Sequence, residues 1–170
     1  MEIDRIHSVI FSYMNDNYTS AIEECDRILD KNGSSYLAKL YRSFAYIKKG
    51  LYSEAIADLN ECERIFKSMP KSETPKKEEV EENDDDDDND DDDDEDEKKK
   101  KKKPKKLIEE ALRTNTPNLF EIFYHRGIAK YYNENFKEAS EDFYNAVLED
   151  GVTNEQKTNA KKWINKTKLN

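Results

Sequence analysis

The side chains from which this chain could build a reactive site are few. It has two histidines, His7 and His125, and two cysteines, Cys25 and Cys62. Two thiols make neither a disulfide framework nor a four-ligand zinc site by themselves. Both cysteines fall on the apolar stripes of amphipathic segments, where a cysteine is ordinarily a buried structural thiol. The four glycines, Gly33, Gly50, Gly127 and Gly151, form no phosphate-cradling loop. Paired carboxylates such as Glu23 and Glu24 read as a solvated helix face. The expectation is a non-enzymatic chain with no catalytic residue, no metal and no cofactor.

The strongest compositional signal is charge. Of 170 residues, 40% are charged and 35% hydrophobic, with a net charge of -10. The charge is concentrated: residues 71–106 hold 18 acidic and 11 basic residues. Glu78 to Glu97 contributes 17 carboxylates, and Lys98 to Lys106 is lysine apart from Pro104. Nothing in this run can bury apolar surface, so a disordered low-complexity insert over 70–106 is expected. The eight lysines could serve as a nuclear-import signal, and the carboxylates could attract a basic partner. Direct nucleic-acid binding is not expected, because carboxylates abut the lysines in an acidic chain. No stretch approaches the roughly 20 apolar residues of a membrane helix, and no signal peptide is read at the N-terminus. The expected compartment is therefore intracellular: the cytoplasm, or the nucleus by way of Lys98–Lys106.

The elements around this run repeat. An aromatic-x-x-alanine pattern occurs at Tyr18/Ala21, Tyr52/Ala55 and Phe136/Ala139. The first two lie 34 residues apart, and the third follows after a further 84, of which the low-complexity run supplies 36. Each pattern opens a segment with apolar residues at three-and-four spacing, the mark of one helix face. Such a face holds Ala21, Ile22, Cys25 and Ile28 in the first segment, and Ala55, Leu59, Cys62 and Ile65 in the second. A second amphipathic segment precedes each, so every unit reads helix, turn, helix. Gly50 supplies one turn and asparagines the others (Asn15 and Asn17; Asn133 and Asn135). Gly33 and Gly151 follow second helices, where a left-handed cap suits glycine. Residues 107–114 read as a short extra helix. Thr153 with Gln156 forms a capping box that opens a closing helix bearing Ala160, Trp163 and Ile164 on one face.

These residues resemble the tetratricopeptide repeat family, whose 34-residue unit places small residues where its two helices touch. The third unit carries Gly127, Ala129, Phe136, Ala139 and Ala146, and the second Ser43, Ala45, Tyr46, Gly50, Tyr52, Ala55 and Leu59. The first keeps Tyr18 and Ala21 but has Val9 and Ser12 where a small residue and an aromatic are usual. The resemblance covers roughly 100 of the 170 residues. It implies an all-α, right-handed superhelical stack of three helix-turn-helix repeats with a C-terminal capping helix. Repeats one and two would span 1–69, the extra helix with repeat three 107–150, and the closing helix 151–170.

The resemblance also implies a function. In the family, one face of each first helix lines a concave groove that binds a protein or peptide segment. The matching residues are His7, Ile10 and Met14 in unit one, and Tyr41, Phe44 and Lys48 in unit two. In unit three they are His125, Ile128 and Tyr132, with Tyr124 adjacent. The positions that would form a carboxylate clamp for heat-shock chaperone tails hold Ile6, Ile10, Tyr41, Glu121 and His125, and all depart from that pattern. The expected function is a protein-interaction adaptor or assembly subunit of another kind. The alternative is a nuclear acidic chaperone that binds a basic partner through its Asp/Glu tract.

Overall fold

The computed structural model describes residues 2–69 and 118–169, apart from the side chains of residues 2–4. The acidic and lysine runs and the extra helix expected at 107–114 lie outside the described residues. Among those described, the chain is all-helical, with seven helices and no strand. They are α1 (Glu2–Met14), α2 (Tyr18–Leu29), α3 (Tyr36–Lys49), α4 (Tyr52–Ser68), α5 (Leu119–Tyr132), α6 (Phe136–Leu148) and α7 (Asn154–Thr167). Each helix packs on the next in this order, and α4 packs directly on α5 although residues 70–117 lie between them in sequence. Lighter contacts join α1 to α3, α3 to α5 and α5 to α7.

The three turns inside the helix pairs are copies of one another. Asp16, Gly50 and Glu134 occupy the same place in each unit, and all three are left-handed, with φ of 59°, 76° and 62°. Their amides donate to Tyr13, Ile47 and Tyr131, at 3.1 Å in each case. The next residue, Asn17, Leu51 or Asn135, donates five residues back, to Ser12, Tyr46 or Lys130, at 2.9, 2.9 and 2.8 Å. This double bond pattern closes the orphan carbonyls of the first helix. The same residue's carbonyl then accepts from Ala21, Ala55 or Ala139 and starts the second helix. The left-handed residue in the first and third turns is thus the acid between the two asparagines, not an asparagine. Gly151 is left-handed as expected, with φ of 68°, but Gly33 is not. α2 ends instead through Asp30 in the right-handed region, and Asn32 donates back to Ile28 at 2.9 Å.

Apolar faces meet where the periodicity put them. Ala21, Cys25 and Ile28 of α2 are buried, as are Ala55, Leu59 and Cys62 of α4. Gly127 lets α5 approach α6: a β-carbon there would lie 2.8–2.9 Å from the ring of Phe143. The capping box forms as read, with Gln156 N donating to Thr153 Oγ1 at 3.2 Å and Thr153 N to Gln156 Oε1 at 2.9 Å. α7 then lays Ala160 and Ile164 against the third unit, and Trp163 stacks on Phe143 at 5.6 Å between centroids.

Two arginines tie helices together in a manner the apolar pattern does not announce. Arg42 of α3 grips Asp58 of α4 with Nε and Nη2, at 2.7 Å each, and sends Nη1 to Asp26 of α2 at 2.6 Å. Arg126 of α5 grips Asp142 of α6 at 2.9 and 2.8 Å, and sends Nη1 to Asn60 and Glu63 of α4 at 2.8 and 2.5 Å. Each arginine stands 16 residues before its bidentate acid. Asp26 and Asn60 also correspond, each eight residues after its unit's leading tyrosine. Each guanidinium therefore joins the second helix of its own unit to that of the unit before. The fork geometry supports two parallel bonds to one carboxylate, and the Asp58 bonds hold Arg42 above its ordinary pKa.

Two predictions follow from these features. Glu134→Gly should stabilise the protein by up to about 1 kcal/mol, because a non-glycine residue at positive φ is strained, while Gly50→Ala should cost about that much. Urea unfolding followed by circular dichroism checks both signs. Arg126→Leu should cost about 1–3 kcal/mol, since it strips Asp142 of both guanidinium bonds and leaves it only the Lys130 ammonium at 2.9 Å. The same unfolding measurement decides, and a change under about 1 kcal/mol would show the tie to be incidental.

Candidate interaction surface

The first helices α1, α3 and α5 carry a row of rings that touch from unit to unit. Tyr13 of α1 meets Tyr41 and Phe44 of α3 at centroid distances of 6.5 and 6.4 Å. Phe44 reaches His125 of α5 at 4.1 Å, and His125 meets Tyr124 edge-on at 5.4 Å. His125 Nδ1 lies 2.9 Å from the Glu121 carbonyl and 3.3 Å from its carboxylate, which fixes the ring against the α5 backbone. Tyr124 is held from the far end, where its hydroxyl accepts from Trp163 Nε1 of α7 at 3.2 Å. Edge-to-face contacts of this kind suit the quadrupoles of aromatic rings.

The residues implied as a groove divide by exposure. Ile10, Tyr41 and Phe44 are 1%, 4% and 9% exposed, so they belong to the core and offer little surface. His7, Tyr124, His125 and Ile128 are partly buried. Met14 and Tyr132 are 46% and 51% exposed, and Lys48 is exposed as well. These three stand at the last turn of α1, α3 and α5 respectively, one per unit. Tyr132 is braced for its position. It stacks on Tyr52 of α4 at 5.4 Å with planes 15° apart, and it meets Trp163 edge-on at 6.0 Å. A ring held on two sides and open on a third loses little freedom when a ligand covers it.

Reactive chemistry finds little support in the thiols. Cys25 and Cys62 are both fully buried and free, and burial pushes each thiol up to about 12. Cys62 Sγ points at the Tyr36 carbonyl at 3.7 Å. A thiol so placed is neutral near pH 7 and is a poor nucleophile and metal ligand. Among the described residues no group of three or more His, Cys, Asp or Glu could hold a metal ion, and no helix is long and apolar enough to cross a membrane.

The two arginine ties are the interactions that the apolar reading missed. Their signal was present as Arg42 and Asp58, then Arg126 and Asp142, at a shared spacing of 16. One carboxylate read as solvated is not. Glu23 is exposed, but Glu24 is half-buried, and its Oε2 is buried with no protein hydrogen-bond partner. No protein-family model matches the chain, and no curated protein matches it.

The buried thiols give a direct check on rigidity. Labelling by a water-soluble disulfide reagent at pH 8 should be negligible in the native protein and complete in urea. Rapid labelling under native conditions would mean that α2 or α4 opens locally.

Proposed function

We propose that this chain is a non-enzymatic adaptor or assembly subunit, built as a tetratricopeptide-type superhelical stack that holds a segment of another protein. Support for the stack comes from three turns with the same left-handed residue and the same backbone bonds, the first two 34 residues apart. The packing of each helix on the next, with lighter contacts between the first helices of successive units, also fits such a stack. The function rests on one observation above all: α1, α3 and α5 each expose one residue of the groove stripe in their last turn, Met14, Lys48 and Tyr132. An exposed methionine, a braced tyrosine and a lysine suit an amphipathic segment that carries an acidic group.

A photo-crosslinking residue placed at Tyr132 should join the chain to a discrete partner in extracts of its own cells. The same residue at Tyr144, also exposed but on α6, should not. With the partner purified, Met14→Ser combined with Tyr132→Ala should weaken binding at least tenfold and leave the thermal midpoint within a few degrees. Binding should survive about 0.5 M salt, where the Debye length is below about 5 Å. Equal crosslinking from both positions, or full affinity in the double variant, would reject the groove. Affinity that instead vanishes in salt and on replacement of residues 74–104 would transfer the function to the charged tract.

A further inference from the structure

The ties made by Arg42 and Arg126 define a rule that unit one breaks. In units two and three an arginine on the first helix grips an acid 16 residues later, on the second helix. The corresponding positions in unit one are Ser8 on α1 and Glu24 on α2. The acid is kept, but serine is too short to reach it. Glu24 Oε1 accepts only a long bond from Ser12 Oγ, at 3.5 Å, and Oε2 is buried with no protein partner. Ser8 and Glu24 line an open cavity of about 460 Å³, together with Arg5, Arg27, Asp30 and Lys31. The place where units two and three hold a guanidinium is, in unit one, an open cleft lined by Glu24, one of whose carboxylate oxygens is shut off from water without a protein partner.

We propose that this cleft is a socket for an arginine side chain supplied by a partner protein, which docks on the exposed end of the α1–α2 pair. The internal ties supply the template. A guanidinium there would fork onto Glu24 as Arg42 does onto Asp58 and Arg126 onto Asp142. It would also give the buried oxygen the charged donor that its counterparts possess. An ammonium can offer a point charge but not the planar fork, so the socket discriminates arginine from lysine. The rim narrows the partner further. Arg5, Arg27 and Lys31 are exposed and outnumber the one exposed acid of the rim, Asp30, and Arg27 has only a distant ion pair, 3.9 Å to Glu23. They would repel a purely basic segment. The occupant is therefore an arginine flanked by acidic residues, whose carboxylates meet the rim while the guanidinium enters. The residues that line this surface, at 5–8 and 24–31, share no member with the edge at Met14, Lys48 and Tyr132, so neither proposal depends on the other.

The test uses the full chain and two blocked peptides, Glu-Ala-Arg-Ala-Glu and its lysine analogue, followed by amide chemical shifts in two-dimensional NMR. The arginine peptide should produce saturable shifts centred on residues 5–8 and 24–31 and absent at Met14, Lys48 and Tyr132, with the lysine peptide at least tenfold weaker. Glu24→Gln should weaken the arginine peptide at least tenfold with little change in the thermal midpoint. Ser8→Arg restores the tie from within, so it should raise the midpoint and abolish peptide binding. Should Ser8→Arg fold poorly, Ser8→Gln gives a neutral side chain that occupies the cleft and should also block binding. The proposal is overturned if arginine and lysine peptides bind alike, if shifts centre on Met14, Lys48 and Tyr132 or elsewhere away from 5–8 and 24–31, or if no saturable shift appears at millimolar peptide. It is equally overturned if the chain forms dimers that Ser8→Arg disperses, since the occupant would then be a second copy.

Discussion

The three-way grip of each of the two arginines, half-buried Arg42 and buried Arg126, is the interaction on which the order of these helix pairs depends. A linear array of helix pairs has no single core. Each pair is stabilised by itself and by its neighbours, so the contacts between successive pairs decide whether the array holds together. Arg126 sits at the most demanding of these junctions, between α4 and α5, where residues 70–117 separate the two helices along the chain. Closing a connection of that length costs only logarithmically more than closing a short one, but it offers no local guidance about register. Apolar side chains alone would tolerate small slides of α5 over α4. A planar guanidinium bound to Asp142 on one side and to Asn60 and Glu63 on the other tolerates far less. Replacing such a pair by apolar groups is often neutral in stability, so its distinctive contribution is geometric.

Much of this was legible before any coordinates. The 34-residue spacing of Tyr18 and Tyr52, followed by alanine three residues on, located the first residues of α2 and α4. Gly127 read correctly as a close-contact position, since its lack of a side chain is what admits Phe143. The turns were only half legible. Glycine and asparagine advertise left-handed backbone, and Gly50 obeyed, but Asp16 and Glu134 adopt the same conformation without advertising it. At these two sites the helices on either side over-determine the backbone, and the residue accepts the strain. Gly33 misled for the opposite reason: a glycine in a connection is free to be left-handed, but nothing after α2 requires it.

The surface was least legible, and the reason is geometric. Three-and-four spacing says which residues share a helix face, not how closely the neighbouring helix approaches that face. Tyr41 and Phe44 share their stripe with Lys48, yet Tyr13 and His125 close over the first two and leave the third in water. Position along the helix, rather than residue type, separates them. The exposed member of each stripe is the one in the last turn of its helix.

The two ends of the described stack are finished by different physics, and that difference bears on how each could meet another molecule. At the C-terminal end, α7 buries Ile164 and lays Trp163 on Phe143, so the apolar face of the third unit is closed within the chain. At the other end, the outer side of the α1–α2 pair shows Arg5, Ser8, Glu24 and Arg27, with the apolar residues Ile6, Val9 and Cys25 turned inward. A polar end of this kind keeps an array from extending by hydrophobic stacking. It does not remove the capacity to pair, because Glu24 keeps the carboxylate that in the later units receives an arginine. Apolar closure at one end and an incomplete charge tie at the other make the array directional: further association at the α1–α2 end would be governed by charge and hydrogen-bond geometry.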